Sequence, residues 1–483
     1  NSHGHWQPGI DGGDLKLAVS WKNLRWPILE PAWFDSANGK GSIEGNLERY
    51  KIELTTDSPW PQAPPATWSA QAEGGRNGLR IESLHVSALE GEATATGQLN
   101  WAPSLSWEAE INTTHLNPAS FWPQWPGQLN GTITSSGHID RDRLTADLDI
   151  KNLSGQLRDY PVALNSRLTW RGTNTENTFP ENTAPENSVP KIGNLEITHL
   201  NFSSGNARIS AQGKIGESST LKWHISATDL GALYPQVKGQ LEAQGTLTGS
   251  REKPVIKATI NGKHLSIPDY QIGVIEGQLA VDLFNWHDTK IELASQALLL
   301  NGQSIQSLTI NGGTRHLKVD AIAGPASVQL EFDGKPSAKG WQGQITRADI
   351  QSQAFSDWQL VAPGLLSVDT DSLSTDTLCW ENSQDAKLCT SLEQKASSWQ
   401  SELTMEQLSL LLFSRWLPAD LKVDGKLNGS AKLNLEGQTL LGQVILQLPE
   451  GVVHYPLLEG ERDHWDYRGG QVTLLLSEKG LKS

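Results

Sequence analysis

Apolar and polar residues alternate one by one along nearly the whole chain, and no other feature narrows the possible folds so far. Leu15, Leu17, Val19 and Trp21 are interleaved with Lys16, Ala18 and Ser20. Leu105, Trp107 and Ile111 continue the pattern, as do Leu148 and Ile150, and Leu221, Trp223 and Ile225. It returns at Leu279, Val281 and Leu283, at Val328, Leu330 and Phe332, and at Val444, Leu446 and Leu448. Successive side chains of a strand point to opposite faces, so a period of two gives one apolar and one polar face. Asn261-Gly262, Asn301-Gly302, Asn311-Gly312 and Asp333-Gly334 divide the runs as hairpin turns would. The chain is expected to be all-β and antiparallel, strand after hairpin after strand.

Length sharpens that expectation. By size alone, 483 residues would make roughly three ordinary domains. A strand every ~10 to 14 residues gives on the order of 35 strands instead. At ~4.8 Å between neighbours they would form about 160 Å of sheet. Each strand has an apolar face that must be covered. Separate sandwiches would cover it, but the linkers and shifts of composition between them are missing. The remaining arrangement is one elongated, curled antiparallel sheet over residues 1–483, a half-open tube whose apolar residues line a groove. Lipid acyl chains would fill it. The 19 Trp, against 6 Tyr and 8 Phe, suit such an interior as filling and rim. Trp21, Trp107, Trp170, Trp223 and Trp341 fall in apolar registers, and Trp122, Trp125, Trp416 and Trp465 flank turns. The plainer reading of any single one is a core tryptophan.

Three stretches break the alternation and resemble one another, starting near residues 116, 230 and 408. Each reads as a short apolar helical turn, a Pro stop and a new strand, so a few short helices are expected to brace the sheet. The stretch 173–190 is polar, punctuated by Pro and low in complexity, and reads as a disordered loop. The Pro-rich 55–67 reads as an exposed connection. Cys379 and Cys389 flank the polar, turn-prone Glu381–Ala386. That pattern fits a hairpin closed by a cross-strand disulfide in an oxidising compartment; two unpaired thiols in a reducing one are the alternative.

Charge excludes one class of partner. Lys and Arg number 39 and Asp and Glu 54, a net of −15. No basic run is present, which argues against nucleic acid and against electrostatic docking on anionic lipid. No apolar run approaches the ~18 residues of a membrane span.

Trp21-Lys-Asn-Leu-Arg-Trp-Pro27, the segments 116–131 and 230–249, and the cysteine pair at 379 and 389 together resemble the TamB family. Its members are AsmA-like, inner-membrane-anchored subunits of the bacterial translocation and assembly module. The resemblance covers essentially the whole chain. It implies a periplasmic, taco-like β-structure with an apolar groove, carrying phospholipid between the inner and outer membranes. It implies the outer-membrane barrel TamA as partner, and a role in outer-membrane protein assembly is the alternative. The family's N-terminal membrane helix and its TamA-facing C-terminal domain are not in this sequence, so the chain is expected to be a middle section.

Catalytic patterns are missing: no His-Glu-x-x-His, no Gly-x-Ser-x-Gly and no phosphate-binding loop. The twelve His are scattered. Neither enzyme activity, nor a cofactor, nor a metal site is expected.

Overall fold

The computed structural model describes residues 2–7, 14–26, 34–57, 65–141, 143–173, 193–251, 253–282, 289–300, 302–337, 340–352, 356–412, 418, 421–437, 439–456, 462–477 and 480–482. The chain divides into two units, Asn1–Ala258 and Thr259–Ser483. Thirty-one strands run through the described residues, and none of these residues is α-helical. In place of bracing helices stand single 3-10 turns: Pro118–Ser120, Leu230–Ala232 and, in the second unit, residues 410–412. The first two are capped by Asn117 and Asp229, whose side chains accept from Ala119 N and Gly231 N. Pro123 and Pro126 after the first turn, and Pro235 after the second, deny further helical hydrogen bonds, so neither turn propagates.

In the first unit every strand from Ser2–Gln7 to Lys238–Gly249 pairs antiparallel with its successor. The second unit repeats this from Tyr270–Asp282 to Gly480–Lys482, with one departure. Between Gly340–Ser352 and Ser372–Asn382 a single lane is shared by two short strands, Trp358–Leu360 and Gly364–Asp369. Pro363 lies in the break, where it cannot donate to a ladder. At most junctions nearest-neighbour pairing follows from the alternation together with short turns, which leave no length for a crossover.

Local sequence explains the bulges. Ile81 and Leu84, Ile150 and Leu153, Ile197 and Leu200, Thr375 and Leu378, and Met405 and Leu408 each span a one-residue shift of register. Residues three apart would face opposite sides of a regular strand. The extra residue of a bulge returns the Leu to the apolar side.

Several expected turns lie elsewhere. Asn261-Gly262, Asn311-Gly312 and Asp333-Gly334 are inside strands, and of Asn301-Gly302 only Gly302 is described, in a turn with φ 80°. Gly312 answers to its backbone, with φ 134°, whereas two others answer to packing: a Cβ at Gly262 would press on Ile275 and Leu265, and one at Gly334 on the Trp341 ring. The low-complexity stretch 174–190, most of the 55–67 connection, Leu283 and Trp416 lie outside the described residues.

Candidate functional site

Cross-strand partners share a face, so register shows which side chains meet. In the first unit one row runs Val19, Gly41, Leu54, Ala70, Leu84, Ala95, Ile111, Ile133, Ile150, Ser166, Leu200, Ala211 and Trp223, each opposite the next. A parallel row passes through Leu17, Ile43, Ile52, Ala72, Ile81, Ala109, Leu148, Leu168 and Ile197. Leu15 and Trp107 belong to a third row and Trp21 and Ile225 to a fourth, while Leu105 and Leu221 fall on the same face by alternation. The first unit therefore gathers all twelve of its sequence-assigned groove residues on one face.

The second unit does the same for Leu279, Phe332 and Leu330, through Ile291 and Leu317 on one row and Val319 on the next. Val328 shares their strand and face. Val281 lies one residue beyond Ala280, the last residue of its strand paired with Lys290–Leu300. Val444, Leu446 and Leu448 join a face with Ala431, Met405 and Leu427.

Among the described residues, little of this surface is buried. The accessible surface is 31284 Å² at 52.7 kDa. Two separate compact units of half that mass would together expose only about 21,000 Å². Of the buried apolar residues among those described, nine are Ala and only eight are larger. Most row residues are half-buried, shielded by neighbours on the same face, and Leu15 and Leu105 are exposed. Around Ala386, Leu408 and Leu427 in the second unit the face is filled. There Leu410 and Leu412 of the 3-10 turn pack beside Met405, Leu446 and Leu448.

Trp358 and Trp380 belong to the filled core of the second unit, but five other large rings lie over glycines instead. The Trp21 ring lies on its paired strand above Gly39, where a Cβ would fall inside it. Tyr50 covers Gly74, Trp107 covers Gly137 and Trp223 covers Gly245 in the same way. In the second unit Trp341 covers Gly334 and Gly343. Indole N–H groups fasten the rings: Trp21 donates to Ser36 Oγ at 2.9 Å and Trp107 to Ser135 Oγ at 3.1 Å. Trp341 donates to Thr314 O at 2.8 Å and Trp380 to Ala348 O at 2.9 Å. Alternation assigns these rings to the apolar face, but only the partner glycine reveals that they lie flat on it.

The opposite face is polar. Lys16, Glu44, Lys51, Glu73 and Arg80 stand opposite one another in sequence, a ladder of alternating charge. Lys16 reaches Glu44 at 2.7 Å and Lys51 reaches Glu73 at 3.2 Å. Hydrogen bonds from Lys51 and Arg49 hold the Glu73 carboxyl below its ordinary range. Such exposed pairs contribute little stability each and mainly fix register. Cys379 stands directly opposite Cys389 and is disulfide-bonded to it, on the face away from Leu378 and Trp380.

A family model described as TamB, N-terminal domain, matches residues 2–464. The translocation and assembly module subunit TamB of Haemophilus influenzae (strain ATCC 51907 / DSM 11121 / KW20 / Rd) is 20% identical over 359 residues, 72% of this chain. The match covers 26% of that relative, so the chain corresponds to about a quarter of its length.

Proposed function

This chain belongs to the TamB family, and we propose that its apolar face is a track on which phospholipid acyl chains cross the periplasm between two membranes. The observation that carries this reading is the unbroken row from Val19 to Trp223, apolar in eleven of its thirteen places and half-exposed among the described residues. Acyl chains are the partner that such a face suits: extended, apolar and indifferent to sequence. The acidic, polar face would stay in water, and the disulfide fits an oxidising compartment. In this reading the outer-membrane barrel TamA is the partner at the far end.

Mass spectrometry of the purified chain tests it. Co-purified phospholipid is the expected result, and Ile111→Arg, which sets a charge in the middle of the row, should remove most of it. A folded wild-type protein free of lipid would count against the track. The name of the Haemophilus influenzae relative favours a second reading, in which the same face holds extended polypeptide during assembly. A photocrosslinker at Ile133 separates the two, because it captures lipid in one case and protein in the other.

A further inference from the structure

Gly39 and Gly74 occupy strand interiors, where glycine weakens a sheet. Neither has the left-handed backbone that demands glycine. A methyl group at Gly39 would meet only atoms of the Trp21 ring among its nearest neighbours, and one at Gly74 only atoms of the Tyr50 ring. At both positions the atoms that a Cβ would meet first therefore belong to the ring. Trp21 is also tied down by its bond to Ser36 Oγ at 2.9 Å, and Ser36 is itself fully buried.

We propose that the flattened rings pave the track and that Gly39 and Gly74 set the clearance above it for an extended acyl chain. The inference rests on the acyl-chain reading and adds residues that determine which occupants fit. A ring lying on a glycine presents its apolar face and rises no higher than its own thickness. A ring lifted by a Cβ stands across the path. Leu or Ile would give an equally apolar surface but a ridged one; a flat ring on glycine gives a smooth one.

The test uses this chain with its co-purified phospholipid counted by mass spectrometry and its fold followed by circular dichroism and melting. Gly39→Ala should keep the β-spectrum and lose most of the lipid, because the Trp21 ring is raised. Gly39→Ala combined with Trp21→Ala should recover it, since the obstructing ring is gone. Gly74→Ala, alone and with Tyr50→Ala, repeats the comparison at a second site. Full lipid in Gly39→Ala overturns the proposal. A double variant as empty as the single one overturns it too, because glycine would then serve the backbone and not the ring. If Gly39→Ala fails to fold, the Gly74 pair decides by the same criteria. An empty wild-type protein would fail the acyl-chain reading itself, a result distinct from failure of the variants alone.

Discussion

Ile150 and Leu153 stand three positions apart on one strand and face the same side of the sheet. The register explains it: Ile150 opposes Ile133, Asn152 opposes Thr132 and Leu153 opposes Gly131, which leaves Lys151 as an extra residue. The two deletions that shorten this segment by one residue should therefore behave differently. Removing Lys151 regularises the strand and keeps both apolar side chains on their face. Removing Asp149 forces Leu148 or Ile150 onto the polar side. Chemical denaturation should show the Asp149 deletion costing about 1–3 kcal/mol more than the Lys151 deletion. Equal costs would mean that the bulge does not set the facing of Leu153.

The Asp57 carboxylate should mark the acid limit of the first unit. It accepts from Asn38 N at 2.9 and 3.0 Å and from Ser36 Oγ at 2.7 Å. The Asn38 amide first, and Ser36 next, hold its carboxyl below the ordinary range. A carboxyl lowered in the folded state adds stability above its unfolded value, and that stability is lost as pH falls through the folded value. Asp57→Asn should lower the melting temperature at neutral pH and flatten its decline on acidification. A parallel decline in both proteins would assign the acid limb to other carboxyls, such as Glu73 and Glu242, which are lowered as well.

How far the sequence is legible depends on whether a feature is local. Alternation at Leu15–Trp21 needs only the backbone's own geometry, so strands, faces and the opposition of Cys379 and Cys389 could be read directly. Leu84, Leu153 and Leu200 could not be, because a period of two sets each on the wrong face until the bulge is counted. A signal was available: an apolar residue, two polar ones, then Leu, as in Ile150-Lys-Asn-Leu153 and Ile197-Thr-His-Leu200. Gly334 misled in the same way. Asp333-Gly334 looks like a turn in isolation, and only the paired strand, with the Trp341 ring and Gln342 O pressed on it, accounts for glycine inside a strand. Facing was local; ring posture was not.

The disulfide should matter to stability and not to the apolar face. Cys379 and Cys389 are ten residues apart and lie on the side away from Leu378 and Trp380. Closing so short a loop is worth on the order of 2–3 kcal/mol. Cys379→Ser, or reductant, should lower the denaturation midpoint by a corresponding amount while bound phospholipid stays unchanged. Loss of lipid without loss of stability would place the bridge in the track after all.

Arg158 joins two loops of the first unit, and Lys should not replace it. Its guanidinium donates to Gly231 O and Ala232 O, each at 2.8 Å, and lies 4.5 Å from the centroid of the Trp125 ring. One planar fork thus closes the last carbonyls of the Leu230–Ala232 turn while its face rests on the loop after Pro118–Ser120. Ser204 Oγ donates to the same Ala232 O at 2.6 Å, and Tyr160 OH donates to Asp229 Oδ2 at 3.0 Å, so the turn is held from three sides. A lysine ammonium keeps the charge but cannot span two carbonyls in a plane and stack at once. Arg158→Lys should cost about 1.5–3 kcal/mol, the range for hydrogen bonds to a charged donor. The loss should appear as faster amide exchange at Leu233 and Tyr234, whose N–H groups bond to Leu230 O. Unchanged exchange there, with Arg158→Ala equally silent, would leave Ser204 and Asp229 as sufficient anchors of the turn.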